Sequence, residues 1–421
     1  MDFFESEIFT YKNSELHCEE IPVREITEKL GTPIYIYSKK FFEDKYREFS
    51  AAFKEIKHTI FYASKSNFNL NVIKTFAELG SGVDVNSEGE LHRALSAGVS
   101  AKKIILTGVG KTAREIKLGI EKDLLMIKAE SEEEIYLINE IAASLNKTAP
   151  VAIRVNPDVN AQTHPYISTG LAENKFGINA DEAYRLFKKE KELKNIKYTG
   201  IDMHIGSQIT SIEPFVEAAS KLADLFLKLK TEGINLQHFD MGGGIGVRYK
   251  NEKTFTVKKL AESILPILKK LNCEIFFEPG RYLTANGGIL AASVLYTKKN
   301  NDKNFIITDA AMTELLRPSI YQAYHHIQPV QLNIGRNNIK ADIVGPVCES
   351  GDFLAKDREI LTVKQNEIIA VFSAGAYGMV MSSNYNARRR PPEVLVSGSN
   401  YKVIRSRETF DHLLFDEKNY L

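Results

Sequence analysis

Between residues 59 and 278 the chain alternates short apolar runs with longer segments whose apolar positions recur at helical spacing. The runs are Thr59–Lys65, Gly82–Asn86, Lys103–Gly108, Leu124–Ala129, Val151–Asn156, Tyr198–Gly206, His238–Gly242 and Glu274–Glu278. Each has the length of a buried strand. Ser87-Glu88-Gly89-Glu90 and Ser131-Glu132-Glu133-Glu134 carry the serine-then-glutamate spacing of a helix start. Eight strands alternating with helices over about 220 residues predict an α/β fold, a (β/α)8 barrel. A doubly wound open sheet is the alternative. In both, the C-terminal strand ends carry the site.

The rhythm has borders. Before it, apolar positions Phe41, Phe42, Tyr46, Phe49 and Phe53 predict a helix over Ser38 to Lys54. Residues 1 to 35 are short alternating segments punctuated by Pro22, Gly31 and Pro33. After Tyr282 come short, turn-bounded apolar runs with few helices: Gly288–Thr297, Asn304–Thr308, Ile343–Val347, Glu367–Phe372 and Glu393–Val396. The division expected is a barrel over 36–284 and a mostly β domain of 1–35 with 285–421. The stretch Pro157 to Gly177 is long for a strand-to-helix connection, a length that often marks function.

Composition narrows the function classes. A net charge of +1 over 421 residues offers no field for a polyanion such as nucleic acid. The one basic cluster, Arg388-Arg389-Arg390, reads as a solvated face. No apolar stretch is long enough to span a membrane. The start, Met1-Asp2-Phe3-Phe4-Glu5, lacks the basic-then-apolar order of a signal peptide. Cys18, Cys273 and Cys348 form no metal-binding pair. A cytoplasmic protein without a bound metal is expected.

Candidate chemistry gathers at the strand ends. Lys65 closes the first run, in Tyr62-Ala63-Ser64-Lys65-Ser66-Asn67. A packed, desolvated amine there can form a Schiff base, whereas a solvated lysine cannot. His204 lies near the end of the sixth run. Gly242-Gly243-Gly244-Ile245-Gly246 follows the seventh and lacks the last glycine of a dinucleotide loop, but its backbone N–H groups can cradle one phosphate. Glu278-Pro279-Gly280-Arg281 follows the eighth, with a carboxylate for a metal, a base or a cationic ring, and a guanidinium suited to a carboxylate. Thr107-Gly108-Val109-Gly110-Lys111-Thr112 imitates a nucleotide loop but has Ile105 where the first glycine belongs, so Lys111 and Thr112 are expected to open a helix.

Six stretches occur together and in order: Tyr62-Ala63-Ser64-Lys65-Ser66-Asn67, His204-Ile205-Gly206-Ser207-Gln208, Gly242-Gly243-Gly244, Glu278-Pro279-Gly280-Arg281, Cys348-Glu349-Ser350-Gly351-Asp352 and Ala374-Gly375-Ala376-Tyr377-Gly378. The chain they span resembles the alanine-racemase-like, barrel-type pyridoxal-phosphate decarboxylases. Ser66 departs from the alanine common there. The resemblance implies that Lys65 holds the cofactor as a Schiff base, His204 stacks on its ring, and Ser207, Gly243, Gly244 and Gly280 bind its phosphate. It implies that Glu278 pairs with the ring nitrogen. Arg281, Arg317 and Tyr321 would hold substrate carboxylate, Glu349 a substrate ammonium, and Tyr377 would touch cofactor and substrate, as Arg281 would. Cys348 would return a proton to the α-carbon. Cys348 and Glu349 would come from the partner chain of a homodimer. The activity implied is decarboxylation of meso-2,6-diaminopimelate to L-lysine. Carboxynorspermidine, ornithine or arginine are the alternative substrates, and a barrel that binds cofactor without turnover is the alternative of a different class.

Overall fold

The computed structural model describes residues 6–160, 169–170, 173–333 and 335–421. They form two compact units. One comprises Lys45–Val247 with Lys253–Tyr282, the other Met1–Asp44, Arg248–Glu252 and Leu283–Leu421.

The first unit is the expected barrel. Its strands are β1 (His58–Ala63), β2 (Gly82–Val85), β3 (Ile104–Leu106), β4 (Met126–Ala129), β5 (Ala149–Asn156), β6 (Ile196–Asp202), β7 (His238–Asp240) and β8 (Glu274–Phe277). Each pairs in parallel with the next. The ring closes where Ile275, Phe276 and Phe277 of β8 meet His58, Thr59 and Ile60 of β1, which excludes the open sheet. Helices α1 (Leu70–Glu78), α2 (Glu88–Ser96), α3 (Ala113–Glu121), α4 (Glu132–Ser144), α5 (Ala180–Lys188), α6 (Glu213–Thr231) and α7 (Val257–Leu268) follow β1 to β7 in turn.

Helix starts fall where the serine–glutamate spacing puts them, with one difference. Ser87 and Ser131 accept the N–H groups of Glu90 and Glu134. The two glutamates, however, reach back one residue further than a reciprocal box, to the N–H groups of Asn86 and Glu130. The reciprocal box forms at Thr112 and Glu115, at the start of α3. Lys111, beside it, lies buried with Nζ 2.7 Å from Glu134. The nucleotide-loop look-alike is thus a helix cap and a buried ion pair.

Predicted strands overshoot at their C-terminal ends. The ladders stop at Ala63, Asp202, Asp240 and Phe277, so Lys65, His204, Gly242 and Glu278 stand beyond the last ladder pair. Of the stretch Pro157 to Gly177, residues 161–168, 171 and 172 lie outside the described residues. In the remainder, Val159 N–H donates to the Gly170 carbonyl at 2.8 Å, and Thr169 Oγ1 donates to the His204 carbonyl at 2.7 Å.

The second unit is mostly β. Phe9–Lys12, Glu15–Cys18 and Ile21–Pro22 form a small antiparallel sheet. A larger sheet runs in the order Phe353–Leu361, Asn338–Val344, Lys303–Thr308, Gly288–Asn300, Ile34–Ser38, Glu393–Ser397, Asn400–Arg405, with Ile368–Val371 also pairing with Gly288–Asn300. The two end strands escape an apolar-run reading because they are edges with charged outer positions, such as Lys356, Asp357, Arg358 and Glu359. Phe9, Leu16, Ile36, Ile289, Phe372 and Val394 belong to one core. The arginine cluster is half-exposed, and each of its members has a partner of its own. Arg388 lies 3.7 Å from Glu314, Arg390 lies 3.0 Å from Glu408, and Arg389 stacks on Phe410. Among the described residues no helix is long and apolar enough to cross a membrane.

Candidate active site

The interior of the barrel changes character over two residues. Phe61, Ile105, Met126, Ala152 and Phe276 form an apolar cluster. Gly82 and Gly200 complete it, since a Cβ on either would press on Phe61 or Met126. Side chains two apart on a strand share a face, and two residues towards the C-terminal ends five of these seven positions become charged: Asp84, Lys128, Arg154, Asp202 and Glu278. All five are buried. Apolar packing below thus supports an ionic layer above.

Lys128 is at the centre of that layer. Its Nζ lies 2.8 Å from Asp202 Oδ1, 2.7 Å from Asp240 Oδ2, and in contact with Glu278 Oε1. Burial works against its charge, but the surrounding carboxylates outweigh burial and hold its pKa well above the usual lysine range. Burial, then Asp84, pushes the Glu278 carboxyl well above the ordinary carboxylate range, with Lys128 opposing. Asp240 is pushed up to about 6, chiefly by burial. Arg154 balances Glu130 at 3.0 Å.

The mouth lies just beyond. Lys65 occupies a short 3₁₀ turn, Ser64–Ser66. Ser64 Oγ donates to Glu90 Oε2 at 2.9 Å, and Ser66 Oγ donates to the Ala63 carbonyl at 2.9 Å. Its neighbours are therefore fixed while its own amine, one-third exposed, sits 3.8 Å from Asp84 Oδ2. His204 Nδ1 accepts the Gly243 N–H at 3.1 Å, which places the ring proton on Nε2. Burial, then the charges of Lys65, Arg154 and Lys128, hold His204 far below the usual histidine pKa, so its ring is neutral. A Cβ on Gly243 would meet the Glu278 carbonyl oxygen at 2.2 Å, and one on Gly244, at φ +109°, the Gly206 carbonyl oxygen at 2.5 Å. Gly280 packs on Ser66. Arg281 Nη2 donates to Ser207 Oγ at 2.8 Å. One rim thus collects Lys65, His204, Ser207, Gly243, Gly244, Glu278, Gly280 and Arg281.

Arg317, Tyr321, Cys348, Glu349 and Tyr377 belong to the second unit. Arg317 is buried, with Nη1 2.8 Å from His325 Nε2 and its guanidinium 4.6 Å from the centre of the Tyr249 ring. It opens the short helix Arg317–Tyr321. Cys348 and Glu349 are exposed. Their loop is pinned by Asp352, which accepts the N–H groups of Met312 and Val347, and by Asn386, which accepts that of Cys348. Tyr377 is half-buried at φ 55°, a left-handed conformation set in a glycine-flanked turn.

Residues 39–285 match the family described as "Pyridoxal-dependent decarboxylase, pyridoxal binding domain". The chain belongs to the pyridoxal-dependent decarboxylases. It is 46% identical to the diaminopimelate decarboxylase of Haemophilus influenzae, over 96% of this chain and 98% of the relative. The diaminopimelate decarboxylase of Helicobacter pylori, solved as a complex with L-lysine, superposes with a TM-score of 0.91 at 40% identity, covering 94% of this chain and 100% of that one. The M. jannaschii enzyme, in co-complex with L-lysine, gives 0.93 at 37% identity, with 98% of each chain covered.

This decarboxylase uses pyridoxal 5′-phosphate, and the rim fits it. Asp84 Oδ1 and Asp202 Oδ2 are buried oxygens without a hydrogen-bond partner among the described residues. With Glu278 they favour a cationic ring. Gly243 and Gly244 pack so closely on the Glu278 and Gly206 carbonyls that neither site accommodates a Cβ. A Gly243→Ala protein should therefore lose stability by about 1–3 kcal/mol, as overpacked sites do. A denaturant midpoint equal to wild type would show that the loop relaxes instead.

Sequence reading missed Asp84, Lys128, Arg154, Asp202 and Asp240. The signal was present: a charge inside an otherwise apolar parallel strand, as in Met126-Ile127-Lys128-Ala129, is costly unless paired.

Proposed function

We propose that this chain decarboxylates meso-2,6-diaminopimelate to L-lysine in the cytoplasm, as a homodimer. The observation that carries the substrate is the near-full-length likeness to named diaminopimelate decarboxylases, two of them solved with L-lysine. When bound, the protonated ring of the cofactor accepts the electron pair left on the α-carbon as carbon dioxide departs.

The chain's own residues do the rest. Lys65 attaches the cofactor; its fixed turn aims the amine, and its exposure leaves it accessible. His204, neutral, would stack on the ring and add no charge to repel a cation. The backbone around Gly243 and Gly244, with Gly280 and Ser207, cradles the phosphate. Glu278, in the buried ionic layer, would pair with the ring nitrogen. Arg281, Arg317 and Tyr321 grip the substrate carboxylate that is not lost. Glu349 pairs with the substrate's distal ammonium, Tyr377 touches cofactor and substrate, and Cys348 delivers a proton to the α-carbon. The exposure of Cys348 and Glu349 supports their serving a partner's barrel.

The test is carbon dioxide release from diaminopimelate, carboxynorspermidine, ornithine and arginine. Ornithine lacks the second carboxylate and would leave cationic donors unpaired, at a cost of about 1–3 kcal/mol. Its kcat/KM should therefore lie about 10- to 100-fold below that of diaminopimelate. Equal values would point to a broad-specificity decarboxylase.

A further inference from the structure

The buried lysine of the ionic layer has no part in the roles above, yet it touches the one carboxylate that faces the cofactor ring. Lys128 is fully buried on β4, with Asp202 from β6, Asp240 from β7 and Glu278 beyond β8 converging on one ammonium. Three carboxylates against one ammonium leave two uncompensated negative charges. The nearby pair of Lys65 and Asp84 adds no net charge, and His204 is neutral. Such a cluster has room for one more proton.

We propose that Lys128 is a positioning residue that keeps Glu278 ionised, so that the additional proton of the cluster resides on the cofactor's ring nitrogen and not on Glu278. This rests on the reading that Glu278 faces that nitrogen. The argument is one of relative basicity. A carboxylate and a pyridine nitrogen in contact share one proton, and it goes to the stronger base. Burial with Asp84, Asp202 and Asp240 for neighbours makes Glu278 a strong base for a carboxylate. A cation in direct contact lowers that basicity strongly inside a low-dielectric barrel, and Lys128 Nζ provides one. The ammonium also fixes the carboxylate: with Oε1 held by Lys128, the other oxygen is directed elsewhere. A proton retained by Glu278 would leave the ring neutral and the electron sink weak.

The experiment uses holoenzyme loaded with cofactor labelled with ¹⁵N in the ring. The wild-type resonance should lie at the protonated position. In Lys128→Met it should move towards the unprotonated position, while kcat falls about 10²-fold, the scale of one preorganised electrostatic contact, and KM stays within about threefold of wild type. Adding Lys128→Met to Glu278→Gln should cost less than about a further threefold, because the two act through one contact. An unshifted resonance in folded Lys128→Met, a wild-type ring that is unprotonated, or losses that multiply in full would each overturn the proposal. Should Lys128→Met not fold, Lys128→Met/Asp240→Asn, whose cluster carries the wild-type charge, is compared with Asp240→Asn alone. The double variant's resonance should lie further towards the unprotonated position, and coincidence of the two overturns the idea. Wild-type protein that released no carbon dioxide from diaminopimelate would defeat the functional reading alone, since the resonance requires no turnover.

Discussion

A Lys65→Ala protein should remain folded and release carbon dioxide from diaminopimelate at least about 10³-fold more slowly than wild type, the scale of losing a covalent catalytic group. The structure separates the chemical loss from a structural one. The turn around Lys65 is held by Ser64 on Glu90 and by Ser66 on Ala63, neither of which uses the lysine side chain. The amine is one-third exposed, 3.8 Å from Asp84, so its removal empties no core. Wild-type holoenzyme should show the absorbance of a lysine-bound cofactor, and borohydride should fix the cofactor to the chain at Lys65. The variant should show neither. A reducible adduct in Lys65→Ala, seen by mass, would place the attachment on another residue.

The second large effect concerns which chain completes the site. If Cys348 acts in the partner's barrel, Lys65→Ala and Cys348→Ala homodimers should each be nearly inactive. Refolded together, the two should form heterodimers in which one site carries both defects and the other carries none. A statistical mixture then recovers roughly a quarter of wild-type activity, with half the dimers mixed and half of their sites intact. The loop that carries Cys348 suits the task, because the thiol is exposed while Asp352 and Asn386 fix the backbone on either side. No recovery, with heterodimers confirmed by mass, would mean that Cys348 serves its own chain's site or none.

The barrel was legible in the chain because a parallel strand buried on both faces is a short apolar run, and eight such runs appear in sequence. Its rim was legible for a different reason: the reactive types Lys65, His204 and Glu278 stand at or near the C-terminal ends of those runs. What pattern alone left dark was the layer beneath. Asp84, Lys128 and Asp202 look like interruptions of apolar strands, and only the closure of the ring shows that they point at one another. The edge strands Phe353–Leu361 and Asn400–Arg405 were obscured by the charges that protect edges from pairing. For the arginine cluster Arg388 to Arg390 the sequence concealed the partners, because adjacent charges diverge in space, each to a different one.

The closure of β8 onto β1 also sets an order of events during synthesis. Thr59 and Glu274, joined by a 2.7 Å hydrogen bond across that seam, are 215 residues apart in sequence. Lys65 leaves the ribosome early, and Glu278 and Gly280 only after the whole ring has been made. A growing chain therefore carries Lys65 without the rest of its rim for about half of its translation, and the seam is a long-range contact of the kind that forms late. If Lys65 attaches the cofactor, capture belongs after ring closure, because the rim that would discriminate one aldehyde from another does not exist before then.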